Sequence, residues 1–361
     1  MELLPGVRAS TVDTDRIRMH VLEAGPEDGE PVVLVHGNLS TGRFYEHLLP
    51  RFGDRYRVIA PDMRSFGRSD PEPLDATRGL TDWADDLDAL LRALGIAAGP
   101  GSAGASPGPL PHLVGWSTAG AAIARYAAAY RAASLTFLDP VSPYGYGAVH
   151  RDGRPVFDDF AGSGAGGANP EFVRRLAEGD DSDESPFSPR TVMRTTYWSA
   201  DFRLPRERED VLVAEILRTV IGDDGYPGDH AGSANWPGFG PGTRGILNAL
   251  SPKYCRWDDI VDLDPKPPVL WTHGTNDLII ADGSMLEFGT LGQAGLVPGW
   301  PGADVFPPQP MITQIRDVLD RYAAAGGPVQ IEMFDGSGHG PHVDADSRWL
   351  TVYKDFLARV S

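Results

Sequence analysis

Residues 112–120 read His112-Leu-Val-Gly-Trp-Ser-Thr-Ala-Gly120, and the rest of the chain is arranged around them. The first residues of this stretch are apolar and predict a short strand, its second half predicts a tight turn, and the alanine-rich residues 121–130 predict a helix. A serine at the apex of a strand–turn–helix unit is in the setting that makes serine a nucleophile, beside the free N–H groups of a helix start. A serine that only caps this helix is the alternative, so a catalytic role for Ser117 needs partners elsewhere.

Strand and helix patterns alternate on both sides of this stretch. Apolar or alternating runs predict strands at residues 7–13, 16–23, 31–35, 56–60, 134–138, 268–272 and 329–334. Helical spacing of apolar residues predicts helices at 81–94, 309–325 and 347–360, and a further helix that begins near Ser40 or Thr41. Continuous apolar runs are typical of strands buried on both faces of a parallel sheet. The sequence therefore predicts an α/β fold with a mostly parallel central sheet flanked by helices.

The middle of the chain interrupts this alternation. From residue 141 to 265 the strand signal is weak, Gly and Pro are frequent, and the best helical patterns lie at 170–178 and 207–221. We therefore expect a first core part at residues 1–140, an inserted, mainly helical or irregular cap at 141–265, and a second core part at 266–361. Ligands bind beyond the carboxyl ends of the strands in open α/β sheets, so the cap is expected above those ends. Residues 99–111 have no periodicity and predict a flexible surface insertion without function.

Composition and net charge limit the classes of molecule that the protein is expected to bind. The chain has 361 residues and a net charge of −18, which argues against nucleic acid, because phosphate binding needs a basic face. The same charge gives no support for binding to an anionic membrane, and neither a signal peptide nor a transmembrane run is visible. The single cysteine, Cys255, fits a reducing compartment. We expect a cytoplasmic protein whose oligomeric state the sequence does not indicate.

Two later strand ends supply partners for the serine. Trp271-Thr-His-Gly-Thr-Asn-Asp277 places an acid just past one predicted strand, and Phe334-Asp-Gly-Ser-Gly-His339 places a histidine just past the last one. The order Ser117, Asp277, His339 is the nucleophile–acid–base order of the α/β-hydrolase fold.

The chain resembles the α/β-hydrolase superfamily in five signatures that occur in order. They are His36-Gly-Asn38, Asp62-Met-Arg-Ser-Phe-Gly-Arg-Ser-Asp70, Gly115-Trp-Ser-Thr-Ala119, Gly274-Thr-Asn-Asp277 and Gly338-His339. They cover nearly the whole chain outside the predicted cap, and they resemble a serine esterase or lactonase. The sequence departs from the pattern at Ala119, where glycine is usual, and at Ser65, where relatives often carry glycine.

The resemblance implies a role for each residue of the set. His339 would be the general base and later the acid, and Asp277 would orient its imidazole and stabilise the imidazolium. The backbone N–H groups of Asn38 and Thr118 would form the oxyanion hole. His342 is an alternative base, Asp139 and Asp282 are alternative acids, and His36 is expected to brace the oxyanion loop.

The predicted cap is rich in aromatic residues, most of which we expect to pack it onto the core. A minority would line an apolar pocket, with Trp116, Tyr144 and Trp198 as the candidates, which favours a hydrophobic small-molecule substrate. No cofactor is expected, because the sequence has neither a P-loop nor a GxGxxG pattern followed by an acid. No metal site is expected, because the remaining histidines lack ligand-like spacing.

These observations predict a cofactor-free serine hydrolase that cleaves a carboxylic ester or a lactone through an acyl-enzyme on Ser117. Hydrolysis of a carbon–carbon bond in a vinylogous diketone is an alternative, since similar triads perform it. A ligand-binding protein that has lost catalysis is a further alternative. Dehalogenase and epoxide hydrolase relatives carry an aspartate at the elbow, so Ser117 argues against both.

Overall fold

The computed structural model of the protein describes residues 2–96 and 109–361. The surface insertion predicted at 99–111 lies outside the described residues, apart from 109–111. Among the helices of the described ranges, none is both long enough and apolar enough to pass through a bilayer.

The first part of the chain alternates strands with helices, as predicted. Its strands are β1 (Arg8–Asp13), β2 (Arg18–Ala24), β3 (Glu30–Val35), β4 (Tyr56–Pro61), β5 (His112–Trp116) and β6 (Ser134–Leu138), and its α-helices are α1 (Thr81–Ala93) and α2 (Ala119–Tyr130). The helix predicted near Ser40 is a single 3-10 turn, Gly42–Phe44. A second 3-10 turn, Leu49–Phe52, follows; Pro50 in its first turn has no N–H to donate and its ring would clash with the preceding turn of a continuous helix, so the two turns do not join.

Residues 139–268 form an intervening segment between β6 and the next strand of the central sheet. It contains the helices α3 (Pro170–Ala177), α4 (Pro189–Thr196), α5 (Arg206–Ile216) and α6 (Ile246–Ala249), and the short strands β7 (Ile221–Gly222), β8 (Tyr226–Pro227), β9 (His230–Gly232) and β10 (Phe239–Pro241). The helix predicted at 207–221 is too long, since α5 ends at Ile216. Beyond it, the N–H of Val220 donates to the Ser65 carbonyl at 2.9 Å, and this long-range bond draws the chain out of the helix.

The last part returns to the alternating pattern. It contains β11 (Val269–Gly274), α7 (Phe288–Gln293), α8 (Met311–Ala324), β12 (Val329–Phe334), α9 (Pro341–Asp344) and α10 (Asp346–Val360). The predicted strand at 329–334 has the observed bounds, and the predicted helix at 347–360 begins one residue earlier.

Eight strands form the central sheet, in the order β1-β2-β4-β3-β5-β6-β11-β12. Strand β2 alone runs opposite to its neighbours, and every other pairing is parallel. The expected mostly parallel α/β architecture is therefore confirmed. Because β3, β5, β6, β11 and β12 run in one direction, the loops that follow them meet at one edge of the sheet.

The core lies on both faces of the central strands. All residues of β5, β6 and β11 are buried, which explains why apolar side chains predominate in them and do not alternate with charged ones. Helix α1 turns its predicted apolar face inwards and buries Trp83, Leu87, Leu90 and Leu91. Phe137 of β6 stacks on Trp257, with ring centroids 4.8 Å apart, so the end of the intervening segment also covers the sheet.

Candidate active site

Ser117 lies at the apex of the turn between β5 and α2, as the sequence predicts. Its φ is +56°, a conformation that costs a residue other than glycine about 1–3 kcal/mol. Three backbone hydrogen bonds hold it there: its N–H donates to the Leu138 carbonyl at 2.9 Å, and its carbonyl accepts from Gly120 and Val141 at 3.0 Å each. The strained backbone directs the side chain towards the carboxyl edge of the sheet.

The small residues around the turn are required by packing. A Cβ on Gly115 would lie 2.4 Å from the carbonyl oxygen of Ala119, and one on Gly120 would lie 2.6 Å from Cβ of Pro140. Ala119, which replaces the usual glycine, is the first residue of α2 and is fully buried. Helix α2 therefore begins close behind the serine.

His339 and Asp277 are in direct contact. His339 Nδ1 lies 2.7 Å from Asp277 Oδ2, and both side chains are buried. The other oxygen, Asp277 Oδ1, accepts from the N–H groups of Ile279 and Ile280 at 2.7 and 3.0 Å. A carboxylate opposite Nδ1 places the imidazole proton there, so Nε2 is left with the lone pair that a general base needs.

The alternative acids and base occupy other positions. Asp282 accepts hydrogen bonds from the backbone and hydroxyl of Thr313, at 3.0 and 2.6 Å. Asp139 Oδ1 accepts from the N–H of Gly274 at 2.8 Å. The His342 ring packs between Trp116 and Tyr45, with centroid distances of 4.7 and 4.9 Å. Burial holds the pKa of His342 well below its usual value, and in the described part of the chain its ring nitrogens have no hydrogen-bond partner.

The loop after β3 lies directly against the nucleophile. A Cβ on Gly37 would be 2.9 Å from Cβ and 3.6 Å from Oγ of Ser117, so only glycine fits. His36 braces this loop: its Nδ1 lies 2.7 Å from the Gly37 carbonyl, and its Nε2 accepts from the N–H of Met63 at 2.9 Å. Burial lowers the pKa of His36 to about 4, so its ring is neutral and plays the structural part expected from the sequence.

Two backbone donors remain free next to Ser117. Within the described residues, the N–H groups of Asn38 and Thr118 have no hydrogen-bond acceptor. Thr118 is nevertheless buried, and buried N–H groups are nearly always paired. An unpaired pair of donors on the residues beside a candidate nucleophile is the arrangement expected of an oxyanion hole.

The three predicted pocket residues lie in two places. Trp116 is buried, and its Nε1–H donates to the carbonyl of His339 at 2.6 Å. Trp198 stacks on Trp116, with centroids 6.5 Å apart and an interplanar angle of 12°. Tyr144 is elsewhere: the Arg256 guanidinium lies 4.9 Å from its ring centroid, and its hydroxyl accepts from Arg321 at 3.4 Å.

Asp344 is a residue of this region that the sequence did not single out. Its Oδ2 accepts from the N–H of Gly338 at 2.8 Å and from the N–H of Ser199, in the intervening segment, at 2.9 Å. Its Oδ1 accepts from the Ser337 hydroxyl. Asp344 thus ties the loop that carries His339 to the residue after Trp198. Its place at the end of the four-residue helix α9 gives no periodic signal by which it could be found.

Behind Asp277 lies a buried group of side chains in which His273, which no sequence pattern singled out, joins the two carboxyl groups considered above. The polar atoms of Asp139, His273 and Asp277 come within 4.8 Å of one another. Each residue already contacts protein donors or acceptors, and we do not assign them as metal ligands.

Comparison with known proteins agrees with the geometry. A family model described as the alpha/beta hydrolase family matches residues 32–350. The chain is 46% identical over 87 residues to cis-3-alkyl-4-alkyloxetan-2-one decarboxylase of Xanthomonas campestris pv. campestris, a match covering 22% of this chain and 29% of the relative. It is 43% identical over 65 residues to haloalkane dehalogenase of Mycobacterium marinum, a match covering 18% of this chain and 22% of the relative. The chain thus matches less than a third of the length of these curated relatives.

Similarity to solved structures extends over the whole chain. A protein assigned as an aryl esterase from Burkholderia cenocepacia superposes with a TM-score of 0.60 at 19% sequence identity. The match covers 98% of this chain and 99% of the other. At this identity the similarity establishes the fold alone.

Proposed function

Because the chain belongs to the alpha/beta hydrolase family, we propose that it is a cofactor-free serine hydrolase that cleaves a carboxylic ester or a lactone. The observation that carries this proposal is the pair of free N–H groups, of Asn38 and Thr118, next to Ser117. A hydroxyl flanked by two such donors is suited to attack on a carbonyl carbon, because the donors stabilise the negative charge that forms on the oxygen.

The first half of the reaction acylates the serine. Ser117 Oγ attacks the carbonyl carbon while His339 Nε2 removes the hydroxyl proton. The tetrahedral oxyanion accepts from the N–H groups of Asn38 and Thr118, and it collapses as His339 returns the proton to the leaving alkoxide. With a lactone, that alcohol stays attached to the acyl chain.

The second half releases the acid. His339 removes a proton from water, which attacks the acyl carbon and forms a second tetrahedral intermediate. Collapse frees the carboxylic acid and returns the proton to Ser117. Asp277 accepts from the Nδ1–H of His339 throughout and stabilises the imidazolium that forms twice per turnover.

We further propose that residues 141–265 form a cap over this site. Two contacts support it. The backbone of Trp198 lies so close to Gly338 that a Cβ there would be 2.5 Å from the Trp198 carbonyl carbon. The hydroxyl of Tyr197 donates to the carbonyl of Leu39, next to the oxyanion loop, at 3.3 Å. The cap therefore reaches both the base and the oxyanion side of Ser117.

The aromatic residues near the site favour a small hydrophobic substrate. Trp116 and Trp198, together with Phe44 and Tyr197, form a cluster of rings beside His339. Rings of this kind bind apolar acyl or alcohol groups. The similar decarboxylase is named for an oxetan-2-one, which is a four-membered cyclic ester, and this supports an ester or lactone as the substrate class.

The similarity to a haloalkane dehalogenase does not favour dehalogenation. The elbow position is Ser117, whereas the resemblance implies an aspartate in a dehalogenase. Only an aspartate would give the ester intermediate that water then hydrolyses to regenerate a carboxylate nucleophile.

Replacement of Ser117 by alanine tests the proposal. We expect Ser117→Ala to lower kcat on p-nitrophenyl esters of graded acyl length on the order of 10⁶-fold, because the nucleophile is lost. Ser10→Ala, on the exposed strand β1, is the matched control and should retain full activity. Undiminished activity of the Ser117 variant would remove this serine as the nucleophile.

A substrate panel separates the reaction classes. Esters and lactones are assayed beside a ring-cleavage dienoate, and preference for the dienoate would replace ester hydrolysis by carbon–carbon hydrolysis. Labelling with a fluorophosphonate, with Ser117→Ala as the blank, detects an activated serine without any substrate. No label on Ser117 would favour a ligand-binding protein.

A further inference from the structure

His273 lies between two carboxyl groups on the buried side of the candidate triad. Its Nε2 is 3.4 Å from Asp277 Oδ2, the oxygen that contacts His339, and its Nδ1 is 3.7 Å from Asp139 Oδ1. Asp139 and His273 are fully buried, and Asp277 is 5% exposed. The four side chains therefore form one row, Asp139–His273–Asp277–His339, which extends the contact between acid and base inwards.

The neighbours of His273 fix the position of its proton. Nε2 lies 3.0 Å from the carbonyl oxygen of Ile280 and 3.4 Å from Asp277 Oδ2. Both of these atoms can only accept, since Asp277 Oδ1 and Oδ2 already accept from the Ile279 and Ile280 N–H groups and from His339. Nε2 must therefore carry a hydrogen, and a neutral ring then has its lone pair on Nδ1.

Two atoms at the other end of the row lack a partner. Within the described residues, His273 Nδ1 and Asp139 Oδ2 make no hydrogen bond, although both are buried. An ionised Asp139 would present only acceptors to the lone pair of Nδ1 and would leave a buried charge without a counterion. A protonated Asp139 presents a hydroxyl donor instead; the oxygen nearest Nδ1, at 3.7 Å, is Oδ1, which also accepts from the N–H of Gly274.

We propose that Asp139 is a neutral carboxylic acid whose hydroxyl faces His273 Nδ1, and that His273 is a positioning residue whose Nε2–H, donated to the Ile280 carbonyl, also attracts Asp277 Oδ2 and holds it towards His339. This assignment rests on the proposed function, because the orientation of Asp277 matters for catalysis only if His339 is the base. It also gives Asp139, the alternative acid, a different role from that of Asp277.

The surrounding charges agree with this distribution of protons. Burial, and next the charge of Asp277, raise the pKa of the Asp139 carboxyl well above its usual range, and burial lowers the pKa of His273. The groups that face Asp139 are Asp277, Asp344, Tyr45 and His273, and those that face His273 are Asp139, Asp277, Asp282 and His339. An ionised Asp139 would add a further negative charge to a buried site that already holds Asp277.

Infrared spectroscopy tests the proton on Asp139 without any substrate. We expect the native protein at neutral pH to show the carbonyl stretch of a protonated carboxyl group that Asp139→Asn lacks. The difference between the two spectra isolates Asp139 from other buried carboxyl groups. If the spectra show no such difference band, Asp139 is ionised and the assignment is wrong. This result does not depend on activity, so it is distinguishable from a failure of the proposed hydrolase function.

Kinetics on an ester that the native enzyme hydrolyses give the second test. Asparagine mimics a neutral carboxylic acid, so Asp139→Asn should keep kcat within about threefold and leave the acid limb of the kcat/KM profile in place. Asp277→Asn, the matched change in the next carboxyl, should lower kcat about 10⁴-fold. If Asp139→Asn shifts the acid limb to lower pH, a negative charge has been removed and Asp139 is ionised.

Two changes at His273 test the positioning role. His273→Phe removes the donor to Asp277 and should lower kcat about tenfold with KM unchanged, because substrate contacts are intact. His273→Gln keeps an N–H that can reach Asp277 and should restore most of kcat. Equal losses in the two variants would mean that His273 only fills space.

Discussion

The absence of a Cβ at Gly37 is what allows the loop after β3 to lie against Ser117. A Cβ at this position would enter the space of the Ser117 side chain, at 2.9 Å from its Cβ. The loop can relieve the overlap only by moving, and such a movement would carry the N–H of Asn38 away from the oxyanion.

Gly37→Ala should therefore lower kcat about 10²-fold, the loss typical of one missing oxyanion donor. Steady-state kinetics on an ester that the native enzyme hydrolyses measure this fall in kcat. Gly232→Ala is the control, since an added Cβ there meets nothing within 4 Å. Full activity of the Gly37 variant would separate the loop after β3 from the oxyanion hole.

Trp116 has a second role that its position beside the nucleophile did not reveal. The sequence predicts that Trp116 lines a pocket wall. The structure adds a hydrogen bond from its indole to the carbonyl of His339, which connects the nucleophile turn to the base.

Trp116→Phe keeps most of the ring but removes this bond. We expect kcat to fall roughly tenfold with KM nearly unchanged, and the free energy of unfolding to fall by about 1–3 kcal/mol, because a buried carbonyl loses its donor. Trp271→Phe is the matched control, as the Nε1 of Trp271 has no partner in the described residues. A pure effect on KM would indicate a pocket wall alone.

Helices and strands could be predicted from the sequence where their own residues carry a local pattern, and not where they form through contacts with other parts of the chain. Strands β6 and β12 were predicted at their observed bounds, because a run such as Ser134–Leu138 consists mostly of apolar and β-branched residues. The order Ser117, Asp277, His339 could be read for the same reason, since each follows a recognisable strand. By contrast, β7 to β10 have two or three residues each. They form by pairing with another short segment, and no local sequence pattern indicates which one. Asp344 was missed because its three donors come from other turns.

Asp344→Ala should loosen the connection between α9 and the intervening segment. Removal of a carboxylate that accepts from Ser199 and Gly338 is expected to lower the free energy of unfolding by about 2–4 kcal/mol and to speed hydrogen exchange at Ser199. Chemical denaturation and mass-spectrometric exchange measure the two effects. Asp355→Ala, on the exposed side of α10, should change stability by less than about 0.5 kcal/mol. Unaltered exchange at Ser199 would show that other contacts hold the segment.

At the scale of the whole molecule, buried histidines make stability depend on pH. Burial lowers the pKa of His36 from 6.5 to about 4, and it also lowers the pKa values of His112, His273 and His342. Below pH 6.5 the unfolded chain binds protons at these residues, whereas the folded chain does not until lower pH. Stability is therefore greatest above pH 6.5 and is lost as the pH falls towards 4.

Urea unfolding at pH 7 and pH 5 should show this loss. The contribution of His36 to this loss is roughly 2 kcal/mol at pH 5, at about 1.4 kcal/mol for each pH unit below 6.5. His36→Gln should reduce the difference between the two pH values, although it lowers stability at both. His230→Gln, at an exposed position, should leave the difference unchanged. An equal free energy of unfolding at both pH values would contradict the prediction.

The parallel pairing of β6 with β11 limits how the segment between these two strands can be exchanged or deleted. The two strands are neighbours in the sheet, with Leu135 beside Val269, so the chain leaves β6 at one edge and must enter β11 from the opposite edge. A hairpin cannot make that connection, since parallel neighbours need a crossover of about a dozen residues or more. Trp257, stacked on Phe137, lies on this return path. A gene chimera that exchanges residues 141–265 for those of a relative therefore has to supply its own crossover, and a deletion joined by a short linker should yield no folded protein.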